Sequence, residues 1–518
     1  MSTPAPPTPA DGSGDRGDAA PAGTVERRAN TSPFRWPEER RKGAGQPAPP
    51  PAPPEPKGWE RWGQRAILVA GITTALWIFF SPLPPGLSLA AQRALAVFVL
   101  STSLWITNTI PFGATGLLAI ALLGATGAMR PNDAFAAFGS SAVFFLIGIF
   151  ILGGAMVDSG LSKRCALVFL RRFEGSPYAF ANGMLLAAAF GTFWMPSQAT
   201  TAMLFPIAVE VAQALRLRPL DSTYAKRLFL SLGWGAMVGS NASFLGSTRA
   251  ALALGMLHES FDRSITFVQW MIASLPMVLL GVALVPLVLR LCFRHEEVSF
   301  ASARVMLEKT VADMGPAQPR QWKVGIIVAS TILAWVFLGD RVDLAIIALL
   351  GASALFISGA MTWESAERRI YWNIVLMYGG AIALGIVIDK TGAARWLVER
   401  YIGGMTFPPF LAVALVLGAS LLLSEFMSNA AAVAVILPLA FTLGRTLDIS
   451  PVALTLATSI GAGLDFALPF SSAPNTIVFA SGYLRMMDVV KAGALMTLAS
   501  ILVVLLVARV WWPILGIY

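Results

Sequence analysis

Apolar runs recur along the chain from about residue 66 to the C-terminus, with polar breakers between them. Several approach the roughly 20 residues that an α-helix needs to cross a bilayer. The predicted spans cover about 66–81, 89–107, 112–129, 142–157, 268–291, 324–338, 345–357 and 372–388, and a last one ends near Trp511. The pattern predicts an all-α polytopic membrane protein.

Two longer apolar stretches in each half of the chain are interrupted by polar residues. In the first half these are 178–215, interrupted at "MPSQATT", and 228–257, interrupted at "GSNASFLGSTRAA". In the second half they are 408–446, interrupted at "MSNAAA", and 452–482, interrupted at "LPFSSAPNTI". Irregular backbone at membrane depth must be buried in protein or line a cavity, because lipid cannot satisfy its N–H and C=O groups. Each half is therefore predicted to contain a re-entrant hairpin followed by a broken helix.

The two halves share one register at an offset of 232 residues. The matched positions include Gly148 with Gly380, Leu152 with Leu384, Gly153 with Gly385, Gly160 with Gly392, and Pro206 with Pro438. Glycines and prolines in one register, with the same order of elements, indicate an internal repeat. Counting spans from a cytoplasmic N-terminus makes the two hairpins enter from opposite sides, so the repeat is predicted to be inverted. Inverted repeats with paired discontinuous elements are typical of secondary transporters, which bind substrate between the breaks.

The predicted domains follow from this repeat. Residues 1–62 form a Pro/Ala-rich tail without a hydrophobic period, predicted to be disordered and cytoplasmic. The first membrane repeat is assigned to 63–294 and the second to 322–518, joined by a cytoplasmic connecting loop at 295–321.

Composition supports this membrane assignment. Hydrophobic residues make up 56% of the 518 positions and charged residues only 13%, against about a quarter charged in soluble proteins. The formal net charge is +9, but the basic residues concentrate in the tail and in connections such as "LSKR", "LRRF" and "LRLRP". That distribution predicts loops held on the cytoplasmic side of the cell (inner) membrane, with lipid and not nucleic acid as the partner.

The second-repeat motifs lead to a family. "SEFMSNAAAVAVILP" followed by "ALPFSSAPNTIVFASG" closely resembles the divalent anion:sodium symporter (DASS) family, and the resemblance covers roughly residues 60–518. That family usually carries Ser-Asn-Thr at each of two hairpin tips and a Pro-Pro-Asn-like turn in each broken helix. The resemblance implies a homodimer in which hairpins and broken helices move as a transport domain, elevator-like, against a scaffold of outer spans.

For the second repeat, the resemblance implies a substrate and cation site. Ser428, Asn429 and Ala430 correspond to the hairpin tip, and Ser472 and Asn475 to the facing loop. Asn at the second motif position contacts a substrate carboxylate in the family, and the motif with its facing loop holds a sodium ion. The expected substrate ligands here are thus Ser428, Asn429 and Asn475, and the expected cation ligands are Ser428, Ala430, Ser472 and Asn475. Ala430 replaces the usual threonine, which removes one hydroxyl.

The first repeat departs further from the family pattern. Ser197 and Gln198 fall where Asn and Thr would stand, so they are the expected substrate ligands of this tip. In the facing loop the family's asparagine is Ala250, and Arg249 precedes it.

A buried arginine is costly and usually marks a pathway or a bound anion, and its planar guanidinium suits carboxylate or sulfate-like oxyanions. We hypothesise that Arg249 replaces a sodium site and binds substrate, which would reduce or remove sodium dependence. The alternatives are that Arg249 pairs with an acid such as Asp465 or extends to the cytoplasm. Asp465 is either that partner or a group that carries the coupling cation or proton.

The predicted function is secondary active transport of a small anion, with a di- or tricarboxylate as the expected substrate, Na⁺ or H⁺ as the coupling ion and no cofactor. A cation/proton antiporter of the same superfamily and an oxyanion (sulfate) transporter are the alternatives. A channel or sensor of the same fold also stays open. The chain has no nucleophile elbow, histidine-rich cluster or P-loop, so neither an enzyme nor ATP-driven transport is predicted.

Overall fold

The computed structural model describes residues 58–401 and 408–517, and the predicted disordered tail lies almost wholly outside them. The described residues are helical without strands. The helices are α1 (Gly58–Phe80), α2 (Leu89–Thr107), α3 (Phe112–Ala125), α4 (Pro131–Ala136), α5 (Ser141–Asp158), α6 (Leu161–Leu170), α7 (Pro177–Gly191), α8 (Ser197–Ala214), α9 (Thr223–Gly239), α10 (Thr248–Phe261), α11 (Phe267–Cys292), α12 (Ala301–Asp313), α13 (Pro319–Leu338), α14 (Leu344–Ile357), α15 (Trp363–Arg369), α16 (Trp372–Lys390), α17 (Ala393–Tyr401), α18 (Pro409–Ser424), α19 (Asn429–Leu447), α20 (Pro451–Gly461), α21 (Ala473–Phe479) and α22 (Met486–Ile514).

Long apolar helices confirm the predicted class of all-α polytopic membrane protein. Within the described ranges, eight helical stretches are long and apolar enough to cross a membrane by length and composition: Trp62–Phe80, Leu89–Thr107, Pro131–Asp158, Phe267–Cys292, Pro319–Leu338, Trp372–Lys390, Asn429–Leu447 and Met486–Ile514. Large apolar side chains are exposed along several of them, such as Leu291 at 71% and Leu502 at 70%, as expected for surfaces in contact with lipid.

Helix bounds repeat at the same offset of 232 that the sequence shows. Helix α3, Phe112–Ala125, shifts onto α14, Leu344–Ile357, without change at either end, and α2 through α8 recur as α13 through α19 with end differences of at most two residues. The backbone repeats as well, because left-handed conformations recur at Gly127 and Gly359, at Gly160 and Gly392, and at Arg216 and Asp448.

Each half packs one of its helices against a helix of the other half, and the two contacts are equivalent. Helix α3 packs on α16, and its counterpart α14 packs on α5, which is the counterpart of α16. Both crossings need glycine: a Cβ on Gly380 would lie 2.4 Å from the Cα of Gly116, and one on Gly148 would lie 2.6 Å from the Cβ of Ala348. This exchanged packing is what an internal two-fold repeat produces.

The interrupted elements appear as four pairs of helices. The predicted hairpins correspond to α7 with α8 and to α18 with α19, and the predicted broken helices to α9 with α10 and to α20 with α21. We call residues 240–247, between α9 and α10, the first break, and residues 462–472, between α20 and α21, the second break. The first broken helix is longer than predicted, since α9 begins at Thr223 and α10 ends at Phe261.

The connection between the repeats differs from the predicted loop at 295–321. Its middle forms α12, Ala301–Asp313, and α13 already begins at Pro319. Helix α12 lacks an apolar run, so hydropathy did not reveal it, but Ala303 and Leu307 are buried where it packs against α8 and α6. The early start of α13 follows from Pro319 at its first position and from a capping box between Gln318 and Gln321.

Candidate functional site

The first hairpin tip is attached to the first break by hydrogen bonds. The backbone N–H of Ser197 donates to the carbonyl of Gly246 at 3.1 Å, and the hydroxyl of Ser243 donates to the carbonyl of Phe193 at 3.3 Å. These bonds satisfy backbone groups that the interruptions leave without helical partners. Gln198 is half-buried beside them.

The second hairpin tip is attached to the second break by a carboxylate. Glu425, which is buried, accepts the backbone N–H groups of Ala467 and Leu468, one on each oxygen, both at 3.1 Å. A carboxylate that binds two orphan N–H groups holds irregular backbone firmly at membrane depth.

Asp465 lies at the centre of the second break. Its side chain is fully buried, and its Oδ1 accepts the Asn429 amide Nδ2 at 3.1 Å. The Asn475 amide Nδ2 donates to the carbonyls of Asp465 and Leu468, both at 3.2 Å. Within the described part of the chain, Oδ2 of Asp465 and Oδ1 of Asn475 are buried without a hydrogen-bond partner. Two orphan acceptors are costly, and only a cation, a proton or another donor can satisfy them.

The other expected residues of the second site lie at the starts of α19 and α21. Ser428 caps α19, and its Oγ accepts the N–H of Ala431 at 3.3 Å. Ser472 caps α21, and its Oγ accepts the N–H of Asn475 at 3.5 Å. Ala430 is buried in the first turn of α19, so the missing hydroxyl leaves an apolar methyl at that position.

Arg249 connects the two breaks. It lies in the first turn of α10, is only 5% exposed, and its Nε donates to the carbonyl of Ser459 in α20 at 2.8 Å. Its Nη2 donates to Oδ1 of Asn241 at 2.7 Å and to the hydroxyl of Ser240 at 3.3 Å. A Cβ on Gly463 would lie 1.9 Å from Nη2. Only glycine therefore fits at this position of the second break beside the guanidinium.

Arg249 forms no direct ion pair with any described residue. Across the described ranges, no carboxylate lies within 4.0 Å of its guanidinium, but Asp465 is near enough to attract its charge, so a longer-range pairing with this acid stays a prediction. The burial of Arg249 excludes a side chain that extends to the cytoplasm. The guanidinium is bound by uncharged oxygens instead. The C-terminal turn of α20, which carries partial negative charge, supplies the carbonyl of Ser459, and Asn241 supplies a side-chain oxygen.

Arg249 and Asn429 meet the same short segment, 459–465, at opposite ends. Arg249 binds it at Ser459, and Asn429 binds it at Asp465. The Nη1 of Arg249 makes no hydrogen bond to the described residues, which leaves donors for a ligand. Asn241 lies in the polar interruption "GSNAS" and was detectable there, whereas Ser459 acts through a carbonyl that every residue carries, so no sequence signal pointed to it.

Crossed, interrupted helices with polar tips at membrane depth define a secondary transporter, and not an enzyme. Residues 62–518 match the family model described as the sodium:sulfate symporter transmembrane region. The chain therefore belongs to this family, the divalent anion:sodium symporters whose motifs it resembles.

Named relatives agree with the family. The chain is 27% identical over 441 residues to the sodium-dependent dicarboxylate transporter SdcS of Staphylococcus saprophyticus, covering 80% of this chain and 84% of the relative. It is 26% identical over 435 residues to SdcS of Staphylococcus aureus, covering 79% and 84%.

Two solved structures share the fold. The Alcanivorax borkumensis YdaH transporter matches with a TM-score of 0.53 at 17% identity, over 80% of this chain and 98% of that one. The Neisseria gonorrhoeae MtrF efflux pump matches with a TM-score of 0.53 at 14% identity, over 85% and 97%. At these identities the likeness establishes the architecture alone.

Proposed function

We propose that this chain is a secondary active transporter of small di- or tricarboxylates in the cell (inner) membrane, with its N-terminus in the cytoplasm. The observation that carries the proposal is the buried guanidinium of Arg249 at the junction of the two breaks, which forms no direct ion pair and whose Nη1 makes no hydrogen bond to the described residues. A buried cation of this kind is costly unless an anion compensates it. The relatives named as dicarboxylate transporters support the substrate class.

The anion site that we propose joins both repeats. Its ligands are the expected residues of the two tips and breaks: Ser197, Gln198, Arg249, Ser428, Asn429 and Asn475. Arg249 supplies charge through its unbonded Nη1, and Asn429 supplies an amide at the other end of the segment 459–465. Because Asn429 already donates to Asp465, a substrate carboxylate shares or replaces that bond.

A coupling cation fits the second break. Oδ2 of Asp465 and Oδ1 of Asn475 are buried acceptors without donors, and sodium or a proton would satisfy them. Ser428, Ala430 and Ser472 are the further residues that we assign to this cation site. In the first break Arg249 is a fixed positive charge. We therefore propose that coupling uses one cation at the second break and that dependence on sodium is weaker than with two sites.

Movement and assembly follow from the family resemblance. In this proposal α7 to α11 and α18 to α22 form the transport domain, which moves as an elevator against α1 to α5 and α13 to α16. Each protomer of a homodimer would contain one such pair. The packing of α10 against α5 and α16 supports a shared sliding interface.

Sulfate is the second candidate, because the matched family model is described as that of sodium:sulfate symporters. A tetrahedral oxyanion presents oxygens that suit a guanidinium as well as a carboxylate does. The buried Asp465 keeps cation/proton antiport as an alternative. In that case the residues that we assign to the anion site would bind no anionic substrate.

The proposal is tested by thermal stabilisation of the purified protein with succinate, malate, citrate, aspartate and sulfate, each with and without Na⁺. We expect di- or tricarboxylates to stabilise the wild type and to lose that effect in Arg249→Ala. Arg263→Ala, an exposed arginine just beyond α10, is the matched control and should respond as the wild type does. Stabilisation by anions that survives in Arg249→Ala would contradict the proposed site, and stabilisation by sulfate alone would select the second candidate.

A further inference from the structure

A cavity with basic walls lies away from the two breaks. It has a volume of about 430 Å³. It is formed by the start of α7, the start of α9, the end of α11 and the residues that follow α11. Its polar side includes Asn182, Arg227, Arg290 and His295.

Arg227 is the buried charge of this cavity. Its side chain is 9% exposed, its Nη2 donates to the carbonyl of Phe293, and its guanidinium stacks over the ring of Tyr178 at 4.8 Å. Its Nε is buried without a hydrogen-bond partner, and no carboxylate of the described residues lies within 4.0 Å of it. The carbonyl of Phe293 and the ring of Tyr178 stabilise this guanidinium in part, and an anion bound in the cavity would compensate the remaining charge.

Two further basic groups line the cavity. Arg290 is exposed in the last turn of α11 and has no ion pair to any described carboxylate. His295 packs on the ring of Tyr178 at a centroid distance of 4.6 Å. Positive charge therefore comes from two separate elements, α9 and the end of α11.

Among the residues that the structure describes, no acidic side chain lines this cavity, whereas Arg227 and Arg290 do. The nearby carboxylate of Glu296 keeps its charge, but it is held outside the lining by hydrogen bonds from three consecutive residues at the start of α9, Ser222, Thr223 and Tyr224, at 2.8 to 3.1 Å. Asp488 pairs with Lys226 at 2.9 Å. The lining of the cavity is therefore basic.

The opposite wall is apolar and faces outward. It is formed by Ala181, Pro286, Leu287 and Leu289, and Leu287 is 53% exposed on α11, one of the candidate membrane spans. A ligand that fits has a negative head group and an adjoining apolar chain. Basic pockets between membrane helices bind the head groups of anionic lipids for this reason.

We propose that this cavity binds the phosphate of an anionic phospholipid, with the head group between Arg227 and Arg290 and an acyl chain along Leu287. The lipid bridges the outer arm of the first hairpin, α7, to α9, which leads into the first break, and to α11. Such a lipid stabilises the relative positions of these three helices at their basic ends. This site is separate from the proposed transport site and does not depend on it.

The test uses purified full-length protein in neutral detergent, titrated with phosphatidylglycerol, with phosphatidylcholine and with inorganic phosphate, and reads out thermal stability. We expect phosphatidylglycerol to raise the melting temperature saturably and phosphatidylcholine to do so far less. Arg290→Gln should weaken the apparent affinity for phosphatidylglycerol about fivefold, the effect of roughly one surface cation. Arg294→Gln, an exposed neighbour that does not line the cavity, should weaken it less than twofold.

Three outcomes would overturn the proposal. Equal stabilisation by phosphatidylcholine would show that the cavity binds acyl chains whatever the charge of the head group. Equal losses in Arg290→Gln and Arg294→Gln would indicate a diffuse basic surface and no defined pocket. Saturation by inorganic phosphate at the same affinity would assign the site to free phosphate and remove the lipid.

Discussion

The first and second breaks share a frame but differ in chemistry. Ser247 caps α10 and Ser472 caps α21 in the same way, each accepting the N–H of the third residue after it. Counting from these caps, Arg249 stands where the second repeat has Pro474. The first break thus gains a buried guanidinium, while the second gains the buried carboxyl of Asp465.

The difference shows that the two halves of this chain share the residues that pack their helices more closely than they share the binding side chains at the breaks. Glycines at helix crossings and left-handed turns recur in both halves, because an added Cβ or a changed backbone would be felt throughout a close-packed interior. Side chains at the breaks are less constrained by packing. The first half can therefore carry the guanidinium of Arg249, while the second carries the unpartnered oxygens of Asp465 and Asn475.

The largest effect is expected from removing the fixed cation. Arg249→Ala loses three hydrogen bonds to Ser459, Asn241 and Ser240 together with the charge. A charged hydrogen bond from Nη1 to a substrate carboxylate would be worth about 1.5–3 kcal/mol, so its loss should lower the initial rate of succinate uptake into proteoliposomes roughly 10- to 100-fold. Arg249→Lys keeps the charge without the planar geometry and should recover part of the rate, whereas equal rates for Ala and Lys would argue against a role for the charge.

A smaller effect is expected at the glycine crossings. In Gly380→Ala the new Cβ would meet the backbone of Gly116, whereas in Gly148→Ala it would meet first the methyl group of Ala348. Overpacking costs about 1–3 kcal/mol, and the clash is closer at Gly380, whose added Cβ would lie within 2.8 Å of three backbone atoms of Gly116. Thermal melts should therefore show a larger loss of stability for Gly380→Ala. The reverse order would contradict the exchanged packing of the two halves.

Next in size is the acid of the second break. Asp465→Asn keeps an oxygen that can accept the Asn429 amide but removes the negative charge. The Na⁺ concentration for half-maximal uptake should rise about tenfold, equivalent to about 1.4 kcal/mol. Asp448→Asn, an exposed residue after α19, is the control. An unchanged Na⁺ requirement in Asp465→Asn would remove this residue from the coupling site.

The smallest effect is expected at the carboxylate that holds the second break. In Glu425→Gln one of the two oxygens that accept the N–H groups of Ala467 and Leu468 is replaced by a donor. The lost bond should lower the free energy of unfolding by about 1 kcal/mol, seen as a lower melting temperature. Glu399→Gln, which alters only an exposed pair with Arg395, should change little. Equal shifts would mean that Glu425 does not anchor the break.

The helices and their repeat could be predicted from the sequence, because hydropathy and the spacing of glycine and proline reflect local and packing constraints directly. The polar helix α12 was missed, since it buries only a few side chains such as Leu307. The partners of Arg249 were also missed, because the carbonyl of Ser459 lies 210 residues away in the chain and only the tertiary crossing brings it close. Asp465 was recognised as notable, but its bond to Asn429 depends on how the tip meets the break.

The most direct test of the account is the sodium dependence of succinate uptake by the wild-type protein in proteoliposomes. With Arg249 as the fixed charge of the first break and a single cation at the second, uptake should follow Na⁺ concentration with a Hill coefficient near one, or persist without Na⁺ if protons replace it. A steep dependence that requires two or more sodium ions would contradict the account, because it would place a mobile cation where the guanidinium lies.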